Sequence, residues 1–108
     1  MGQKRGMPSD VVIRVGFAQG SLRWSAHALS EAETDGLLPS NIETAVKETG
    51  TVIEDYPEAV RGATCLVLAY TADGPVHVVV AYGAEPWVVV TVYVPNPDKW
   101  LEGFTKRR

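Results

Sequence analysis

Apolar residues follow two different rhythms along this chain. Up to about Gly50 they recur at helical spacing, and after Thr51 they gather into short dense runs bounded by turn signals. Strands are predicted over residues 51–56, 64–71, 75–82 and 87–94. Asp73-Gly74 lies between the second and third runs, where glycine can take the positive φ of a tight hairpin turn. Gly83 to Pro86 forms the next, longer turn. Loops this short join antiparallel neighbours, so the expected sheet is a four-stranded antiparallel meander. The runs at Leu66–Ala69, Val78–Ala81 and Val88–Val90 are apolar at every position, whereas a sheet with one wet face alternates. Something must therefore cover the second face: the N-terminal region, the C-terminal segment or another subunit.

Ahead of the strands, residues 1–8 read as a loose polar leader and residues 9–108 as one α+β domain. Residues 10–19 are open to two readings. Val11-Val12-Ile13 and Val15 suit a strand, while Ser9 or Asp10 could cap a helix with Val11, Val15, Ala18 and Leu22 on its stripe. Leu22-Arg23-Trp24 is a short extended piece. Ser25 precedes a helix with Ala28, Leu29 and Ala32 on one stripe, ending at Gly36. A second helix covers roughly 39–49, with Ile42, Ala45 and Val46 inward and Gly50 as its stop. Either Pro39 is its first residue or Ser40 and Glu43 form a capping box. Asp98 is expected to cap a short C-terminal helix that lays Trp100 and Phe104 on the sheet.

Charge alters this picture modestly. The 108 residues carry a net charge of −3, with 45% hydrophobic positions, enough for one core. Ten acidic and three basic residues lie between Gly20 and Pro95, while four of the last ten residues are basic: Lys99, Lys106, Arg107 and Arg108. With Lys4 and Arg5 at the start, the middle is acidic and the ends are basic. Such ends are solvated termini or a phosphate contact. No secretory pattern opens the chain, and its longest uncharged stretch, Pro86 to Pro97, falls short of the roughly 20 residues of a membrane helix. A cytoplasmic protein without membrane contact is expected.

Candidate chemistry is sparse. His27 stands near a helix start, where it could be a general acid or base, a phosphate contact, or an anchor of helix to sheet. His77 lies in an apolar strand, as a satisfied structural histidine or a proton-transfer group. Pairing across Asp73-Gly74 sets Tyr70 opposite His77, but the loop after Tyr82 leaves the register of Tyr93 open. If the faces coincide, Tyr70, His77, Thr91 and Tyr93 form a polar aromatic strip able to stack bases. Glu54-Asp55 reads as solvated charge at a strand end. Cys65, inside an apolar run, reads as a buried inert thiol. No metal-ligand spacing, phosphate loop or nucleophile elbow is present, so neither metal nor cofactor is expected.

An ordered set of segments carries a resemblance: Ser25-Ala26-His27-Ala28, Gly36-Leu37, Val52-Ile53-Glu54-Asp55-Tyr56-Pro57, Leu66-Val67-Leu68, Gly74-Pro75-Val76-His77-Val78-Val79, Thr91-Val92-Tyr93-Val94-Pro95 and Trp100. Together they resemble the bacterial domain-of-unknown-function family DUF4258, a family that looks like a distant relative of the RelE/ParE toxins. The resemblance implies a metal-independent ribonuclease acting on messenger RNA, often paired with an antitoxin protein. Under that reading His27, His77 and Tyr93 would move protons, and Arg23, Arg107 and Arg108 would hold phosphate. This chain departs from the pattern at Asp35, where the family carries arginine. The competing reading is a non-catalytic module that keeps the fold and binds a protein partner or a second copy of itself through the uncovered sheet face.

Overall fold

Ser9 settles the ambiguous first segment. A computed structural model of the chain describes residues 8–20, 22–60 and 62–108. Arg61 and all of the expected leader except Pro8 lie outside the described residues. The Ser9 side chain accepts a hydrogen bond from the Val12 amide at 3.1 Å, capping helix α1, Asp10–Gln19. Its inward stripe is Ile13 and Phe17, not the expected Val11, Val15 and Ala18, which face outward. Both charged residues of α1 turn inward to backbone. Arg14 Nε donates to the Gly50 carbonyl at 2.8 Å, and Asp10 Oδ1 accepts from the Val52 amide at 2.9 Å.

Helix α2, Ala26–Thr34, is capped by Ser25, whose side chain accepts from the Ala28 amide at 2.9 Å. It buries Ala28 and Ala32, while Leu29 is exposed rather than part of the stripe. Helix α3, Pro39–Thr49, starts at the proline with Leu38 in the cap position, and no side chain caps it. The Ser40–Glu43 box does not form; Glu43 instead accepts from the Trp24 indole at 2.7 Å.

Five strands follow in space as β1-β5-β4-β3-β2: β1 (Leu22–Trp24), β2 (Thr51–Tyr56), β3 (Thr64–Thr71), β4 (Gly74–Ala81) and β5 (Trp87–Tyr93). The four expected strands do run as an antiparallel series, within a residue of their predicted bounds. The expected four-stranded meander is nonetheless incomplete. β1 adds a fifth strand parallel to β5, making an open mixed sheet. Leu22-Arg23-Trp24, expected as a short extended piece, is that strand; three residues are too few to show which neighbour it pairs with. The backbone bond from the Ser25 amide to the Val89 carbonyl at 3.0 Å helps hold this piece on the sheet.

The helices cover one face. α3 packs on β3, α2 on β5 and α1 on α3, around a core that includes Ile13, Ile42, Val46, Val67, Val78 and Val92. The other face buries Leu66, Leu68 and His77, and Trp100 of the C-terminal segment lies on the His77 ring. That segment is not the expected helix. Asn96 rather than Asp98 opens it: the Asn96 side chain accepts from the Asp98 amide at 2.9 Å. The chain then turns back on itself, with Leu101 N–H on the Lys106 carbonyl at 2.8 Å and Trp100 bridged to Arg107. Gly103 at φ +90° and Phe104 at φ +60° are left-handed and end any helical run. Residues 96–108 thus form a strap.

Candidate functional site

Two β-bulges decide which side chains meet beneath and beside the strap. Along β2, Val52 pairs with Val67, but Glu54 pairs with Leu66, so Ile53 is an extra residue. Along β5, Val89 pairs with Val80, but Thr91 pairs with Val79, so Val90 is extra. Each bulge reverses the alternation beyond it. Glu54 therefore leaves the face of Val52 and Tyr93 leaves the face of Val89. Both arrive on the strap side, where Tyr93 lies directly opposite His77.

His77 is 0% exposed. Its Nε2 sits 2.9 Å from the Phe104 carbonyl, which can only accept, so Nε2 carries the hydrogen. Nδ1 of the neutral ring then accepts from the Tyr93 hydroxyl at 3.1 Å. The Trp100 ring lies edge-on at 4.3 Å between centroids, and the Tyr93 ring at 5.2 Å. Burial lowers the His77 pKa from 6.5; the Phe104 carbonyl and Glu54 oppose that shift and Arg107 adds to it. Burial likewise raises the Tyr93 pKa.

Above this layer the Arg107 guanidinium stacks over Trp100 at 4.6 Å and grips Glu54 with two bonds of 2.9 and 3.0 Å. Tyr56 also donates to Glu54. Glu54 is therefore not free solvated charge. Nor is Asp55, which accepts from the Tyr82 hydroxyl at 2.6 Å. Arg108 Nε donates to the Pro97 carbonyl at 2.7 Å, within the strap.

The expected residues thus separate. His77, Tyr93 and Arg107 come together. His27 stands apart on α2, exposed, with Nε2 3.1 Å from Glu31 Oε1; Glu31 also accepts from Thr91 on β5. Arg23 is exposed on the edge strand β1. Tyr70 does not face His77, because the hairpin turns at Ala72-Asp73 and pairs Thr71 with Gly74. Leu68 takes the place opposite His77, two residues from the expected partner and on the same face. The aromatic strip is not continuous: Tyr70 lies at the hairpin end, paired with Pro75, and Thr91 is tied to α2. Glu54 and Tyr56 were missed because a bulge has no clear residue signature.

A second feature lies on the helix side, at the other end of the sheet. Val11, Val12 and Val15 of α1 are 68%, 51% and 45% exposed. With Gly16, Leu22 and Trp87 they line a groove of about 450 Å³, and Glu85 is the charged residue on its rim. Gly16 lets the indole lie close, since a Cβ at that position would come within 2.1 Å of the Trp87 ring and force the ring to shift.

No similar protein was found among curated proteins or among solved structures. The sequence model of one family does match, over residues 24–94, a span that runs from β1 to just past β5 and leaves out both α1 and the strap. By that match the chain belongs to the family described as domain of unknown function DUF4258.

Proposed function

We propose that this chain is a non-catalytic protein-binding module whose docking surface is the groove between α1 and β1. One observation carries the reading. The outward face of α1 is valine-rich and free of charge, because Asp10 and Arg14 are both turned inward to backbone partners. A solvated helix normally shows the reverse arrangement. Exposed apolar surface of this kind fits a partner's apolar face. The groups on the strap side support the same conclusion indirectly: both His77 nitrogens, Glu54 and Arg108 are engaged inside the molecule. Self-association through the second sheet face, the alternative form of a binding module, competes there with Trp100.

The ribonuclease reading keeps one supporting feature: the half-exposed Arg107 guanidinium stands beside Glu54 and near Tyr93. In a RelE/ParE-type toxin relative, Arg107 would bind the phosphate of messenger RNA. Glu54 would take the 2′-hydroxyl proton, and Tyr93, giving up its hydrogen bond to His77 Nδ1, would pass its own proton to the leaving oxygen beside the Arg107 charge. His27 beside Glu31 would be the alternative proton carrier, with Arg23 and Arg108 as further phosphate contacts. An antitoxin would then be the natural partner, in a cytoplasmic setting.

Sedimentation of the full chain, alone and co-expressed with the product of the adjacent reading frame, tests the leading reading. A complex or dimer that is lost in Val15→Glu, with melting unchanged, supports it. A monomer with no complex, together with RNA cleavage that Arg107→Ala abolishes, transfers the assignment to the ribonuclease.

A further inference from the structure

Among the described residues the strap is tied to the sheet by few polar groups, and one of them is a histidine. Phe104 O meets His77 Nε2 at 2.9 Å, Arg107 meets Glu54 at 2.9 and 3.0 Å, and Trp100 covers the His77 ring. The remaining backbone bonds among Lys99, Leu101, Phe104, Lys106 and Arg108 lie within the strap itself and do not hold it down. Phe104, the residue whose carbonyl His77 holds, has a left-handed backbone at φ +60°. A side chain as large as Phe stays in that conformation only while its surroundings impose it. Segments with so few anchors open locally, without global unfolding.

We propose that residues 96–108 are an acid-released strap: His77, neutral, holds it closed over the second sheet face, and a proton on His77 lets it lift. The closed geometry has a place for one ring hydrogen, on Nε2 toward Phe104. A second hydrogen on Nδ1 would point at the Tyr93 hydroxyl, which now donates to that nitrogen. The charge would sit in a 0% exposed position. The groups facing it are Tyr93 from β5, Glu54 from β2 and Arg107 from the strap; β3 offers Leu68. The one carboxylate among them is already paired with Arg107, so it offsets little of the burial cost. Lifting the strap hydrates the ring and uncovers Leu66, Leu68 and Tyr93, a second apolar surface distinct from the α1 groove.

Hydrogen exchange resolved to single amides tests this on the full chain. The open ring titrates at the ordinary 6.5 and the closed ring lower, so the open population rises as pH falls through 6.5, by up to about tenfold between about pH 7.5 and about pH 5.5. A lifted two-stranded turn is marginal in water and loses its internal bonds, so after correction for intrinsic exchange the protection of the Leu101 and Arg108 amides should fall with acid while β3 and β4 amides keep theirs. In His77→Gln, whose amide can still donate to Phe104 but cannot charge, the pH dependence should vanish. Strap protection that is independent of pH, loss that occurs together with the core strands, or unchanged pH dependence in His77→Gln overturns the proposal. If His77→Gln does not fold, the wild-type imidazole is followed by NMR. A midpoint coinciding with strap opening upholds the latch, and a separate midpoint overturns it.

Discussion

Single side chains here carry consequences that can be measured one at a time. Cys65 is the simplest, and its environment was readable from its apolar neighbours. It is fully buried on the helix side, and burial with a contribution from Asp55 pushes its thiol up to about 12. Thiolate is the reactive form. A thiol reagent should therefore leave the native chain unlabelled and react only on denaturation; rapid labelling of folded protein would show the assignment wrong. Gly16 is the opposite case, because no residue pattern announces that Trp87 will lie against it. Gly16→Val places branched carbon in the space of the indole. The expected loss is about 1–3 kcal/mol of stability in urea unfolding, the usual cost of overpacking. His77→Ala removes two hydrogen bonds and leaves a void, for an expected loss of about 2–4 kcal/mol. The pH dependence has a definite sign. The native pKa is depressed, so the unfolded chain takes the extra proton more readily. Stability owed to the neutral ring is complete above 6.5 and is lost as pH falls from 6.5 toward the lower native value.

At the scale of elements, strands announced themselves and their faces did not. Dense valine runs and turn residues located β2 to β5 to within a residue, since length and composition suffice for that. Which side chains share a surface depends on the bulges at Ile53 and Val90, and neither position carries a glycine or other marker. The convergence of Glu54, His77 and Tyr93 was therefore out of reach of the residue pattern. The α1 stripe failed for a related reason. Val11, Val15 and Ala18 satisfy helical spacing as well as Ile13 and Phe17 do, and periodicity cannot choose between two stripes on one helix. The strap failed as a helix because Trp100 and Phe104 also fit the i, i+4 spacing, while Gly103 and the left-handed Phe104 turn the chain. Its docking can be checked directly. Removal of residues 98–108 strips the cover from Leu66, Leu68 and His77, and the Trp100 ring is 3% exposed in place. Burying one large ring contributes about 1.5–3 kcal/mol. The truncated chain should melt lower by at least that equivalent, and unchanged melting would refute the packing.

Considered as a whole, the molecule separates its charge from its open apolar surface. The chain is acidic, at net −3, and two of the four cations gathered at its C-terminus, both arginines, are engaged within the molecule. Arg107 is held by Glu54 in a pair that also raises the Arg107 pKa, and Arg108 bonds to the Pro97 carbonyl. Phosphate binding draws its affinity from free cations that displace counterions, and it weakens steeply with salt. An RNA strand would have to compete with Glu54 for Arg107 while approaching an acidic body. The expected outcome is that the wild-type chain does not retard single-stranded RNA even at low salt. Glu54→Gln, which frees the guanidinium, should bind measurably and lose that binding as salt rises. RNA binding by wild type that disappears in Arg107→Ala would instead make the C-terminal cations a working phosphate site and return the ribonuclease reading to first place. The α1 groove makes no such demand on charge, since its lining is mainly valine, glycine, leucine and tryptophan, with Gln19 and Glu85 as its polar members. Complex formation there should therefore persist at salt concentrations that abolish any phosphate contact.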